Sequence, residues 1–217
     1  MFDASVFMKL TAPNLTAGKG GIPNYTDADW VRAIRYGLNP AGKPLIFMPS
    51  EEFTRFSDAD LGAMIAYLKT VPPADTEVEP ARAPGPVARA IYLFADYPLI
   101  PVERIDRNSS RAEVTPAVTV EYGQYLAKTG GCLGCHAATL GGGLTIGPAV
   151  STNLTMGGPL KSWSEADFIK SIRTGTRPNG TKINEVMPWK EMATMTDEEL
   201  RATWLYMRSV PPVTPKH

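Results

Sequence analysis

The chain has 217 residues, 43% of them hydrophobic, and its 22 basic and 22 acidic side chains cancel at neutral pH. That balance gives no global field for nucleic acid or an anionic membrane, and no apolar run reaches the roughly eighteen residues of a spanning helix. Twenty prolines and nineteen glycines, with little alternating pattern, predict short helices joined by long ordered loops.

The opening stretch MFDASVFMKL lacks the basic start, long apolar core and small-residue cleavage site of a secretory signal. From residue 13 onward the chain repeats itself: residues 13–73 answer residues 152–212 at an offset of 139, with a one-residue slip in the middle. PNLT (13–16) matches TNLT (152–155), YTDADWVRAIRYGLNPAG (25–42) matches WSEADFIKSIRTGTRPNG (163–180), and the 26 residues from Met48 match those from Met187. Two homologous domains are expected.

Each copy holds two helix starts of the S/T-x-x-D/E kind: Thr26/Asp29 and Ser57/Asp60, then Ser164/Asp167 and Thr196/Glu199. Such boxes satisfy orphan N–H groups and add negative charge at a helix start. Behind them Trp30/Ile34 and Phe168/Ile172 stand four apart on one face, and Leu61/Ile65/Leu68 and Leu200/Trp204/Met207 form the stripe of a second helix. Gly37 and Gly175 are placed to close the first helix of each pair, and Val-Pro-Pro ends the second.

Between the copies, residues 74–117 have the proline-, alanine- and charge-rich composition of a linker. Within it VARAIYLFADYPLI (87–100) is apolar enough to pack between domains or onto a partner. Next, VEYGQYLAKTGG reads as an amphipathic helix ending at Gly130, with Gly123, Tyr125 and Leu126 facing the closing helix at Leu200 and Trp204.

The string that follows, Cys132-Leu133-Gly134-Cys135-His136, holds both cysteines and one of the two histidines of the chain. At average residue usage, C-x-x-C-H arises by chance in about one chain of this length in a thousand. A disulfide or a thioredoxin-like pair leaves His136 unexplained, and the helix before Cys132 is not a strand-to-helix junction. A structural zinc site needs four Cys or His ligands, and beyond this cluster the sequence offers only His217, its last residue and an expected frayed position. Covalent attachment of haem c uses all three residues: two thioethers from Cys132 and Cys135, and the His136 imidazole as an axial ligand.

Methionine is the natural candidate for a second axial ligand, and five follow the motif: Met156, Met187, Met192, Met195 and Met207. Met192, Met195 and Met207 stand opposite Phe53, Phe56 and Leu68, interchangeable apolar volume, and Met156 faces Ala17 on a polar loop. Met187 alone recurs as methionine, at Met48, each time before a proline. It is the expected ligand. The carbonyl of Pro148, in IGPAV, is the expected acceptor for the other imidazole nitrogen, and Asn153, Trp163 and Arg173 are candidates to meet the haem propionates.

Residues 119–212 resemble a class I cytochrome c domain, with C-x-x-C-H at 132–136, IGPA at 146–149, WSEADFIKSIRTG at 163–175 and MPW at 187–189. The paired copies resemble the multihaem cytochrome c subunits of bacterial membrane-bound alcohol, aldehyde and sugar-acid dehydrogenases. This resemblance implies an all-α chain of two tandem cytochrome c-like domains: a partial one over 1–73 without its C-x-x-C-H, the linker 74–117, and a complete one over 118–217 with one haem. It also implies electron transfer from a dehydrogenase catalytic subunit to a quinone, cytochrome or oxidase, in the periplasm or at the outer face of the inner membrane, with peripheral membrane association an option.

The counterpart of Cys132 in the first copy falls before Met1, so an upstream segment bearing an export signal and a first haem motif is expected, with true loss of that haem as the alternative. A haem-based sensor or peroxidase-like enzyme with a displaceable methionine, and a haem-free thiol module, are the competing functional readings.

Overall fold

A computed structural model describes residues 12–45, 48–77, 85–94, 100–108 and 111–214. Residues 1–10 and His217, weighed above, lie outside the described residues. The chain divides into two units, Met1–Arg111 and Ala112–His217. Among the described residues both are helical, apart from one two-stranded hairpin in the second.

In the first unit, helix α1 (Asp27–Tyr36) opens on a complete capping box between Thr26 and Asp29 and closes on Gly37 at φ 61°, a left-handed position that glycine adopts without penalty. A single turn, α2 (Ser50–Phe53), precedes α3 (Asp58–Thr70), whose first orphan N–H groups are met in part by the Ser57 hydroxyl. Trp30, Ile34, Leu61 and Ile65 form the core between α1 and α3, with Met48, Phe53 and Leu68 against it. Helix α4 (Pro86–Phe94) lies within the stretch read as linker and leaves Val87, Leu93 and Phe94 exposed. More of that stretch belongs to this unit than its composition suggests: Arg104 pairs with Glu51, and the Arg111 guanidinium lies over the Tyr36 ring.

In the second unit, α5 (Val120–Thr129) leads through Gly131 into the short helix α6 (Cys132–His136). A hairpin follows, β1 (Thr145–Ile146) paired antiparallel with β2 (Ala149–Val150), with Gly147 at φ 57° in its turn. Then come α7 (Glu165–Thr174), the single turn α8 (Trp189–Met192) and the closing helix α9 (Asp197–Ser209). Leu140, Leu160, Phe168, Ile172, Leu200, Trp204 and Met207 make the core. Each large side chain buried this way contributes roughly 1.5–3 kcal/mol.

Helix α5 lies directly on α9, and the reason is Gly123. A Cβ there would come within 1.9 Å of the Ala202 carbonyl oxygen, so only glycine lets the two backbones approach this closely. The buried face of α5 is Tyr122, Gly123 and Ala127. Tyr125 and Leu126, expected on that face, are only half-buried, because contact centred on Ala202 and Tyr206 rather than on Leu200 and Trp204 rotates the helix toward its small residues.

Each unit has an Asn-x-Thr loop, at 14–16 and at 153–155, that is tied to the segment just after α3 or α9 respectively. Asn14 Nδ2 donates to the Ala74 carbonyl (2.8 Å), and the Ala74 N–H donates to Thr16 Oγ1 (3.0 Å). At an offset of 139, Asn153 Nδ2 donates to Val213 O (2.7 Å), and the Val213 N–H donates to Thr155 Oγ1 (3.0 Å).

Candidate haem site

The C-x-x-C-H string forms α6, entered through Gly131 at φ 79°. One helical turn sets Cys132 and Cys135 three residues apart on one face, and both thiols line the same cavity as His136. Ala137 then turns the chain sharply at φ 64°, rare for a residue with a Cβ. The His136 carbonyl accepts from Gly142 N–H at 2.9 Å, which fixes the loop behind the ring.

His136 is buried, and its Nδ1–H donates to the Thr152 carbonyl oxygen at 2.6 Å. A proton held on Nδ1 leaves the Nε2 lone pair for a metal. Burial pushes the imidazole below its usual value, and the bond to Thr152 pulls the other way. The acceptor is therefore Thr152 and not Pro148. Pro148 sits in the turn of the hairpin, outside the cavity lining, and the chain brings a different carbonyl back to the ring after β2.

Met187 lines the cavity on a pinned loop: its N–H donates to Asn184 O (3.0 Å) and its carbonyl accepts from Trp189 N–H (2.7 Å). Pro188 stiffens that turn, and the Ile183 N–H ties the loop to the end of α7 through Gly175 O (2.8 Å). Met192 and Met207 line the cavity too, whereas Met156 and Met195 pack on the core without lining it. The remaining walls are mostly apolar, from Leu154, Leu160, Phe168, Ile172 and Ile183.

Of the three residues weighed for propionate contacts, Trp163 lines the cavity. Asn153 does not: its amide is spent on Val213 O and on Thr155 (N–H 2.9 Å, Oγ1 2.7 Å). Arg173 does not either. It donates to Ala193 O and forms an ion pair with Asp197 at 2.8 Å, clamping the start of α9. The repeat held the signal against both, since Asn14 and Arg35 stand at the same places in a half that has no cysteine. Thr152, Ser171, Arg177 and Asn184 also line the cavity and were missed. Ser171 is 1% exposed, and among the described residues its hydroxyl meets no hydrogen-bond partner, an orphan polar atom of the kind that a bound group or water satisfies.

A pair of thiols, a buried imidazole with its free lone pair directed by Nδ1, thioethers and apolar walls around one cavity fit a covalently held haem. Among the described residues no cluster of three or more His, Cys, Asp or Glu offers a different metal site.

Comparison with known proteins agrees. Residues 119–207 match the family model described as cytochrome c oxidase, cbb3-type, subunit III. The gluconate 2-dehydrogenase cytochrome c subunit of Pantoea cypripedii is 37% identical over 108 residues, covering 43% of this chain and 24% of its own. The fructose dehydrogenase cytochrome subunit of Gluconobacter japonicus is 26% identical over 222 residues, covering 91% of this chain and 44% of its own. A diheme cytochrome c-type protein of Cereibacter sphaeroides is 27% identical over 229 residues, covering 95% of this chain and 73% of its own. The chain thus spans less than half the length of the two dehydrogenase subunits. Residues 119–207, with Cys132, Cys135 and His136 on one cavity, form a cytochrome c-type domain.

Proposed function

We propose that this chain is an electron-transfer c-type cytochrome, a subunit that accepts electrons from a dehydrogenase and passes them toward the respiratory chain. The observation that carries this reading is the single cavity lined by Cys132, Cys135, His136 and Met187. Cys132 and Cys135 would hold haem c through thioethers, His136 Nε2 and Met187 Sδ would be its axial ligands, and a haem bound there supplies reversible one-electron exchange. Thr152 fixes the His136 tautomer through its carbonyl. The apolar walls disfavour net positive charge and so raise the potential, the direction that suits an acceptor. An iron held by both His136 and Met187 would have no place left for substrate, which suits a carrier rather than a catalyst.

The names of the similar proteins, cytochrome subunits of gluconate and fructose dehydrogenases, support a dehydrogenase catalytic subunit as donor. A quinone, or a cytochrome or oxidase, is the proposed acceptor. We place the protein in the periplasm or on the outer face of the inner membrane, where thioether attachment takes place. No helix among the described residues is long and apolar enough to cross a membrane, and any attachment through these residues would be peripheral. Residues 1–73 read as a partial cytochrome c-like domain: they share the capped helices, the Asn-Thr loop and the Met48-Pro49 turn of the second unit, without a C-x-x-C-H.

Replacing Met187 by Ala tests the coordination. The exported protein should keep its covalent haem, lose the methionine-to-iron absorption band, fall in potential and, once reduced, bind carbon monoxide that the wild type refuses. A wild type that binds carbon monoxide as readily as the variant would favour a sensor or peroxidase-like role.

A further inference from the structure

Among the residues that line the cavity, Arg177 is the one fixed cation. It is half-buried, and its loop is tightly pinned: its N–H donates to Thr181 O (2.8 Å) and its carbonyl accepts from Gly180 N–H (2.9 Å). Its Nη1 donates to Thr181 Oγ1 (3.3 Å) and to Lys182 O (2.5 Å). Both are neutral acceptors, and among the described residues no carboxylate forms an ion pair with it. A half-buried guanidinium at the edge of a mostly apolar cavity, with no carboxylate beside it, is placed to take an anion. The remaining N–H donors of its planar fork suit a carboxylate. Asn184 lines the same cavity. With its Oδ1 accepting from Val186 N–H at 2.9 Å, what its amide has left to offer is the Nδ2 donors.

A second observation comes from the internal repeat. Arg173 has a counterpart in Arg35, which donates to Phe56 O (2.8 Å) and pairs with Asp58 (2.7 Å), the same clamp on the start of a closing helix. Arg177 has none: Asn39 stands in its place. The cation is found only in the half that carries C-x-x-C-H.

We propose that Arg177, together with Asn184, anchors the propionate carboxylates of the haem and is a positioning residue that sets its potential. This rests on the haem reading above, and the test separates the two. Arg177→Gln, Arg177→Lys, Asn184→Leu and Arg173→Gln are made in the exported chain, and each is assayed for covalent haem, for the methionine band and by equilibrium redox titration. Removing a positive charge beside the haem stabilises the ferric state, so Arg177→Gln should keep haem and band but shift to a lower midpoint potential. Arg177→Lys should recover part of the shift, and Asn184→Leu should show a smaller one. Arg173→Gln should lower thermal stability and leave the potential in place.

An unchanged potential in haem-loaded Arg177→Gln overturns the proposal while the haem reading stands. If Arg177→Gln does not mature, maturation of Arg177→Lys supports the need for charge, and failure of both alike counts against it. A wild-type chain with no covalent haem overturns the underlying reading and this assignment with it.

Discussion

The closing helices α3 and α9 have the same length, the same kind of cap and the same buried stripe, yet they are covered differently. Tyr206 on α9 is 9% exposed and Ala202 is fully buried, because α5 lies across them with Gly123 at the contact. At the matching places on α3, Tyr67 is 69% exposed and Ala63 is exposed as well. Among the described residues, one face of α3 is held by α1 through Leu61 and Ile65, whereas α9 is held on two faces. The same helix can therefore be half of a small core or the spine of a cavity-bearing domain. What decides is whether a second helix, delivering the cysteines, packs on its other side.

The largest expected effect breaks this contrast at one residue. Tyr206→Ala should cost the second unit about 3 kcal/mol, the range for truncating a buried aromatic, while Tyr67→Ala should stay within about 0.5 kcal/mol, as for an exposed site. Chemical denaturation of each variant, followed separately for each unit, measures both. Equal costs would mean that the Tyr67 face is covered in solution.

A pair of glycines sharpens the same point with opposite signs. Gly123→Ala forces a Cβ against the Ala202 backbone and should destabilise by about 1–3 kcal/mol, as overpacking does. Gly62→Ala on α3 meets nothing within 4 Å and should stabilise by about 0.5–1 kcal/mol, since alanine is the better helix former. Limited proteolysis should follow the same division, with cleavage in the first unit while residues 119–212 stay resistant.

The smallest difference between the units should come from their helix caps. Thr26→Ala and Ser164→Ala each remove an N-cap and should cost about 1 kcal/mol. Hydrogen bonds from Thr26 and from Ser164 hold the carboxyls of Asp29 and Asp167 below the usual carboxylate range. A depressed folded-state pKa contributes stability above the unfolded value, and that contribution is lost as pH falls through the folded one. Thermal melts between neutral and acid pH should therefore lose an acid-sensitive increment in the wild type that the two cap variants keep only in part, because the backbone N–H of residue 26 or 164 still donates to the carboxylate.

Much of this was legible before any coordinates. Three residues of two rare types at fixed spacing marked the candidate haem site, and the capping boxes and four-residue stripes gave α1, α3, α7 and α9, because local hydrogen bonds and helical periodicity are written in adjacent residues. The partners of long-range bonds were not. Order along the chain points to Pro148 as the acceptor for His136, but the return of the chain after β2 supplies Thr152. Asn153 and Arg173 have the right chemistry for a propionate and are consumed by backbone and Asp197 on other segments. Residue type alone does not reveal this, whereas the repeat carries a signal: Asn14 and Arg35 stand at the same places in the half without cysteine.

The central claim is that the second unit alone holds haem, through Cys132 and Cys135. Intact mass spectrometry of the chain, expressed with an added export signal and the haem-attachment machinery, tests it most directly. The account predicts a mass increase of one haem, resistant to acid-acetone and localised to the peptide that contains residues 132–136. No increase, a haem removed by acid-acetone, or a gain of two haems would contradict it.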